Sequence, residues 1–114
     1  MANTFSRSTK ASLTSGDVTT DPTTNVLNAG TSSALILISI LIANKSGGTA
    51  NVDVYLVTSS GDDTYILRGA PIPSGNALEV IQGSRIVLNA NDVIRARGSS
   101  AGTLDITISY LSQT

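Results

Sequence analysis

The sequence contains neither cysteine nor histidine. The first absence rules out disulfides and thiolate–metal sites. The second removes the commonest metal ligand and the commonest general base. Aromatic residues are scarce, amounting to Phe5, Tyr55, Tyr65 and Tyr110. Charged residues make up 13% of the chain, against roughly 25% in an average soluble domain. With a net charge of −1, the chain has no field to steer it to nucleic acid or an anionic membrane. Its first residues, "MANTFSRSTKASLTSG", lack the apolar core of a secretory signal. Its longest apolar run, Ala34–Ala43, is half the length of a spanning helix. The expectation is a protein made in the cytoplasm, with no export signal and no membrane partner.

Ser, Thr, Gly and Asn fill the space left by charge, a composition that favours strands and turns over helices. The 114 residues suit one domain, and a chain of this length buries roughly two thirds of its unfolded surface. Phe5–Ala11 reads as a first strand or an arm, followed by a polar loop rich in turn formers, and Val26–Leu27 begins a short strand. In Ala34–Ala43, Ile36, Ile38, Ile40 and Ile42 alternate with Leu35, Leu37, Ser39 and Leu41. β-branched residues at alternate positions argue strand over buried helix.

Further strands follow in "TANVDVYLVT", "TYILRG", "ALEVIQ", "RIVLN" and "ANDVIRARG", and "TLDITISYL" has the cleanest alternation. "NKSGG", "SSGDD" and "SSAG" are turns, and the two prolines of "APIPSGN" exclude a central strand there. About eight short strands at intervals of eight to twelve residues predict an all-β antiparallel sandwich, jelly-roll-like in pattern. Residues 1–25 are expected as an N-terminal arm and polar loop, and 26–114 as the sandwich domain.

Little in the sequence supports catalysis. Glu79 is the single glutamate and is expected to face solvent or a partner; Asp62 and Asp63 are adjacent in a turn, a poor arrangement for a two-carboxylate hydrolase. Asp62, Asp63, Asn89, Asn91 and Asp92 are oxygen donors of the kind calcium takes, but they lack the spacing of a calcium loop and read as turn chemistry. Arg95 and Arg97 share a strand face, with Arg85 and Arg68 elsewhere, and no aromatic residue lies among them for base stacking. They are expected to pair with carboxylates across strands or at a subunit contact.

The strand greasy on both faces remains. Either its outer face is covered by a loop or the N-terminal arm, or one face packs in the core while the other meets another subunit. The Ile face is expected in the core. Leu35, Leu37 and Leu41 in water would form an apolar patch of the kind that marks interfaces. With Phe5, these three leucines are the candidate interface residues.

"TNVLNAGTSSALILISILIANKSG", "APIPSGNALEVI" and "RIVLNANDVIRARGSSAGTLDITISYL" resemble a group of small β-rich virion proteins of tailed phages, notably marine and cyanobacterial ones. Its marks fall at Ala43-Asn44, at Pro71–Gly75, over Ile86–Ile94 and over Leu104–Leu111. The longer polar insert "SGDVTTDPTTN" and "NAG" in place of a Pro-Ala turn depart from the group's pattern. The resemblance implies a non-enzymatic structural protein located in the virion. Members of the group serve in capsid decoration, neck and tail attachment. A small, weakly charged sandwich with an apolar strand suits bridging capsomers, so the first expectation is a capsid decoration or cement protein, a homotrimer bound to the major capsid protein. The alternatives are a neck, tail or fibre-attachment subunit, or, from another class, a carbohydrate-binding β-sandwich module. No cofactor, metal, small-molecule substrate or nucleic acid is expected.

Overall fold

The computed structural model describes residues 3–31, 34–81 and 85–113. Among the described residues, alternation of apolar and polar residues becomes nine strands: β1 (Asn3–Lys10), β2 (Asn25–Asn28), β3 (Ala34–Asn44), β4 (Ala50–Val57), β5 (Thr64–Ile72), β6 (Ala77–Glu79), β7 (Ile86–Leu88), β8 (Val93–Gly98) and β9 (Leu104–Gln113). They form two antiparallel sheets packed face to face, an all-β sandwich. One sheet has the order β1-β9-β3-β6, with β7 also paired to β3; the other has the order β2-β8-β4-β5. A 3-10 turn, Pro22–Thr24, precedes β2, capped by the Asp21 carboxylate.

The core lies between the sheets. β9 supplies Leu104, Ile106 and Ile108, β8 supplies Ile94 and Ala96, and β4 supplies Val52 and Val54, every second residue of each strand. β5 extends through Pro71 to the buried Ile72, further than its sequence suggests. It can do so because it is an edge strand, where a missing ladder donor faces no neighbour.

β3 departs from the expected alternation. Its register with β9 slips between Leu37, opposite Tyr110, and Ser39, opposite Ser109, so Ile38 is the extra residue of a β-bulge. A bulge resets which face each later residue occupies. Leu35 and Leu37 are therefore buried before it and Ile40 and Ile42 after it, while Ile36, Ile38 and Leu41 point outward. The expected Ile-in, Leu-out assignment is corrected on this point: it holds only past the bulge.

Residues 3–25 are continuous with the sandwich. β1 pairs along its whole length with β9. Leu13 lies in the core cluster, its N–H donating to the Leu104 carbonyl at 2.8 Å. Val18 is also buried. The expected arm and loop are thus an edge strand and a packed crossover.

Candidate functional site

In a sandwich the inner faces make the core, so binding surfaces must come from the outer faces, the edges and the loops. Residues directly opposed in an antiparallel ladder project from the same face. On the five-stranded sheet, Phe5 opposes Leu111, Leu111 opposes Ile36, and Ile36 opposes Val87. These four residues form an unbroken apolar row on the outer face, crossing β1, β9, β3 and β7. Phe5 is 77% exposed and Val87 51%, with the two middle residues half-buried.

Ile38, turned out by the bulge, lies beside the row. It lines a shallow depression of about 430 Å³ together with Phe5, Ser6, Arg7, Ser109 and Tyr110. Leu41, 42% exposed, extends the apolar character along β3. Of the four candidate interface residues, Phe5 and Leu41 lie on this face. Leu35 and Leu37 do not: both are buried in the core and present no surface to a partner. Ile36, Ile38, Val87 and Leu111 complete the surface.

Glu79 is bonded to β3 just past the bulge. Its carboxylate accepts the Ser39 hydroxyl at 2.5 Å and the backbone N–H groups of Ile40 and Ile81, each at 3.0 Å. β6 pairs with β3 just beyond the bulge, Glu79 opposing Leu41, which places the carboxylate within reach of the β3 backbone donor at Ile40. Glu79 opposes the outward Leu41 and so lies on this outer face, as a half-buried carboxylate bonded within the sheet.

The outer face of the other sheet is polar and largely self-satisfied. Arg97 opposes Asp53 in the ladder and pairs with it at 3.0 Å. Arg95 donates to Asn25 Oδ1 at 2.8 Å and to the Val18 carbonyl at 3.2 Å, pinning the crossover. A cleft of about 360 Å³ remains between Ser15, Asp17, Asp53, Tyr65, Arg68 and Arg97. In it the Arg68 guanidinium sits 5.2 Å from the centre of the Tyr65 ring, and Tyr55 meets that ring edge-on at 4.9 Å. The Thr19 hydroxyl and backbone N–H hold the Asp17 carboxyl below its usual range.

Two oxygen donors of the acidic turns, Asp63 and Asp92, serve the backbone. Asp92, buried, accepts from the N–H groups of Ser59 at 3.0 Å and Asn89 at 2.9 Å. Asp63 accepts from Thr58 N–H at 2.9 Å. Among the described residues, no three His, Cys, Asp or Glu side chains come together in a group that could hold a metal ion. No protein-family model and no curated protein sequence matches the chain.

Proposed function

We propose that this protein is a non-enzymatic structural subunit of a tailed-phage virion, docking through the outer face of its five-stranded sheet. The observation that carries the reading is the apolar row Phe5–Leu111–Ile36–Val87, with Ile38 beside it and Leu41 further along β3. Fully burying side chains of this kind is worth about 1.5–3 kcal/mol each, and a contiguous apolar patch marks a place where another surface sits. The resemblance of the Pro71–Gly75 turn and the Ile86–Ile94 and Leu104–Leu111 segments to phage virion proteins supplies the setting. Within it, a decoration or cement protein on the capsid, self-associating as a trimer against the major capsid protein, is the favoured role. A subunit that binds only the assembled shell stabilises that shell by mass action.

Copy number per purified particle tests the assignment. Hundreds of copies support decoration, a dozen or so move the protein to neck or tail, and none removes it from the virion. A second reading, a carbohydrate-binding module, draws on the cleft around Tyr65. An exposed ring flanked by Arg68, Asp53 and Arg97 combines an apolar platform with donors and acceptors for sugar hydroxyls. Binding on a glycan array that Tyr65→Ala removes would favour that reading.

A further inference from the structure

From Thr4 to Lys10, β1 has no buried side chain. Its inward positions are Ser6, Ser8 and Lys10, opposite Tyr110, Ile108 and Ile106 of β9. Ser8 donates to the Val26 carbonyl at 2.9 Å, and the Lys10 ammonium donates to the carbonyls of Thr23 and Asn25. A ladder and a few polar bonds hold this strand, without the apolar burial that dominates the stability of its neighbours.

The chain is fastened immediately afterwards. Leu13 is fully buried; its carbonyl accepts from Gly102 at 3.0 Å, and that of Thr14 accepts from Gly98 at 3.0 Å. Between strand and anchor lie only Ala11 and Ser12, both exposed. Ser12 has φ 56°, a left-handed conformation that L-residues, which carry a Cβ, disfavour. A surface latch keeps it there. Asp105 accepts the Ser12 N–H at 2.8 Å, Lys45 donates to the Ser12 hydroxyl at 2.7 Å, and Lys45 pairs with Asp105 at 2.9 Å.

We propose that β1 is an exchangeable strand. When the Ala11–Ser12 turn opens, β1 leaves its own β9 and pairs with the β9 of a second copy of this chain. That copy returns its own β1 or passes it to the next in a closed ring. The inference rests on the reading of the protein as a self-associating subunit, and it says how the association is made. Identical copies reproduce every bond of β1 on the partner, so the balance is set by the turn, and the turn is where the strain sits. Short hinges under strain favour exchange. Two extended residues reach about 7 Å, so exchanging copies meet at the end of the sheet that carries Ser12, Lys45 and Asp105. Phe5 then completes the apolar row of the neighbour.

The absence of cysteine makes the test clean. Arg7→Cys with Ser109→Cys puts thiols on directly opposed outer-face positions of β1 and β9. The full-length variant is assembled reduced, oxidised, and run on a non-reducing gel. Exchange gives disulfide-linked dimers or closed rings. If the wild type sediments as an oligomer while the variant yields only internally linked monomer, exchange is overturned and the subunit reading stands. A wild type that stays monomeric at high concentration also overturns exchange, leaving particle binding to its own co-sedimentation assay. Thr9→Cys with Thr107→Cys, a second opposed pair, repeats the test should the first disturb folding. Asp105→Ala should speed subunit mixing between mass-labelled populations several-fold, and Ser12→Gly, which removes the strain in place, should slow it. Mixing rates indifferent to both overturn the turn as the point of opening.

Discussion

The Glu79 carboxylate accepts the backbone N–H of Ile40 at 3.0 Å, two residues past the bulge at Ile38. That bond, with the one from the Ser39 hydroxyl, joins the chain's single glutamate to β3 where the strand changes phase. Removing it strands a ladder donor and the Ser39 hydroxyl in a half-buried setting. Glu79→Ala is expected to lower stability by about 1–3 kcal/mol, the cost of unsatisfied buried groups. Glu79→Gln, which keeps an acceptor, should lower it less. Urea unfolding followed by circular dichroism measures both, and equal stability of Glu79→Ala and wild type would contradict the role.

The bulge also assigns opposite fates to two adjacent residues. Leu37→Asp places an unpaired carboxylate in the core and should unfold the domain, a loss of roughly 3 kcal/mol or more. Ile38→Asp faces outward and should leave a folded protein with impaired association. Thermal melts with sedimentation velocity distinguish them, and the reverse pattern would place the bulge elsewhere.

The parity of β3 shows how far the sequence could be read. β9 was legible because Leu104, Ile106 and Ile108 alternate without interruption and all three are buried. The alternation of β3 looks equally regular, but its phase changes at a contact with a residue 39 positions away. Nothing local to "LILISILIAN" encodes that change. The outer row was hidden for a related reason: joining Phe5 to Val87 requires the register of three strand pairs. The cross-strand pairing of Arg97 was readable, because a strand rich in alternating charge finds its partner in the adjacent ladder at Asp53.

Asn44 carries a further test. It is buried where β3 ends; its amide donates to the carbonyls of Gly48 at 2.9 Å and Ile72 at 2.8 Å, and its oxygen accepts from Ser46 N–H at 2.9 Å. One side chain thus ties the β3–β4 hairpin to the end of β5. Asn44→Ala should cost about 1–3 kcal/mol, and Asn44→Asp more, since a carboxylate would face the two carbonyls. A urea midpoint unchanged in either variant would contradict this.

Three surface carboxylates give stability a pH dependence of defined sign. The Lys45 ammonium, then the Ser12 N–H, hold the Asp105 carboxyl below its usual range. Thr19 does the same for Asp17 through its hydroxyl and N–H, and Thr23 for Asp21 through its N–H and hydroxyl. In the unfolded chain these groups take up protons at higher pH than in the folded one. Their contribution is therefore present above the ordinary carboxylate value and lost as pH falls through the lowered folded ones. Melting temperature should be level from about pH 7 to pH 5 and fall below about pH 4. Lys45→Met should shrink the fall. A melting temperature unchanged down to about pH 2.5 would contradict the assignment.

The outer row is tested at its two ends. Phe5 and Val87 are 77% and 51% exposed, so neither contributes much to the core, and Phe5→Asp and Val87→Asp should change folding stability by no more than about 0.5 kcal/mol. In a docked state each aspartate would be buried among apolar side chains. Losing even one apolar anchor of about 1.5–3 kcal/mol corresponds to about a 10- to 100-fold weaker contact. Co-sedimentation with purified particles should therefore fail for either variant while circular dichroism stays that of wild type. Tyr65→Ala, on the outer face of the other sheet, is the control and should leave particle binding intact. If Tyr65→Ala abolishes binding and the two aspartate variants keep it, the functional surface is the polar cleft around Tyr65, and the apolar row is a tolerated exposure.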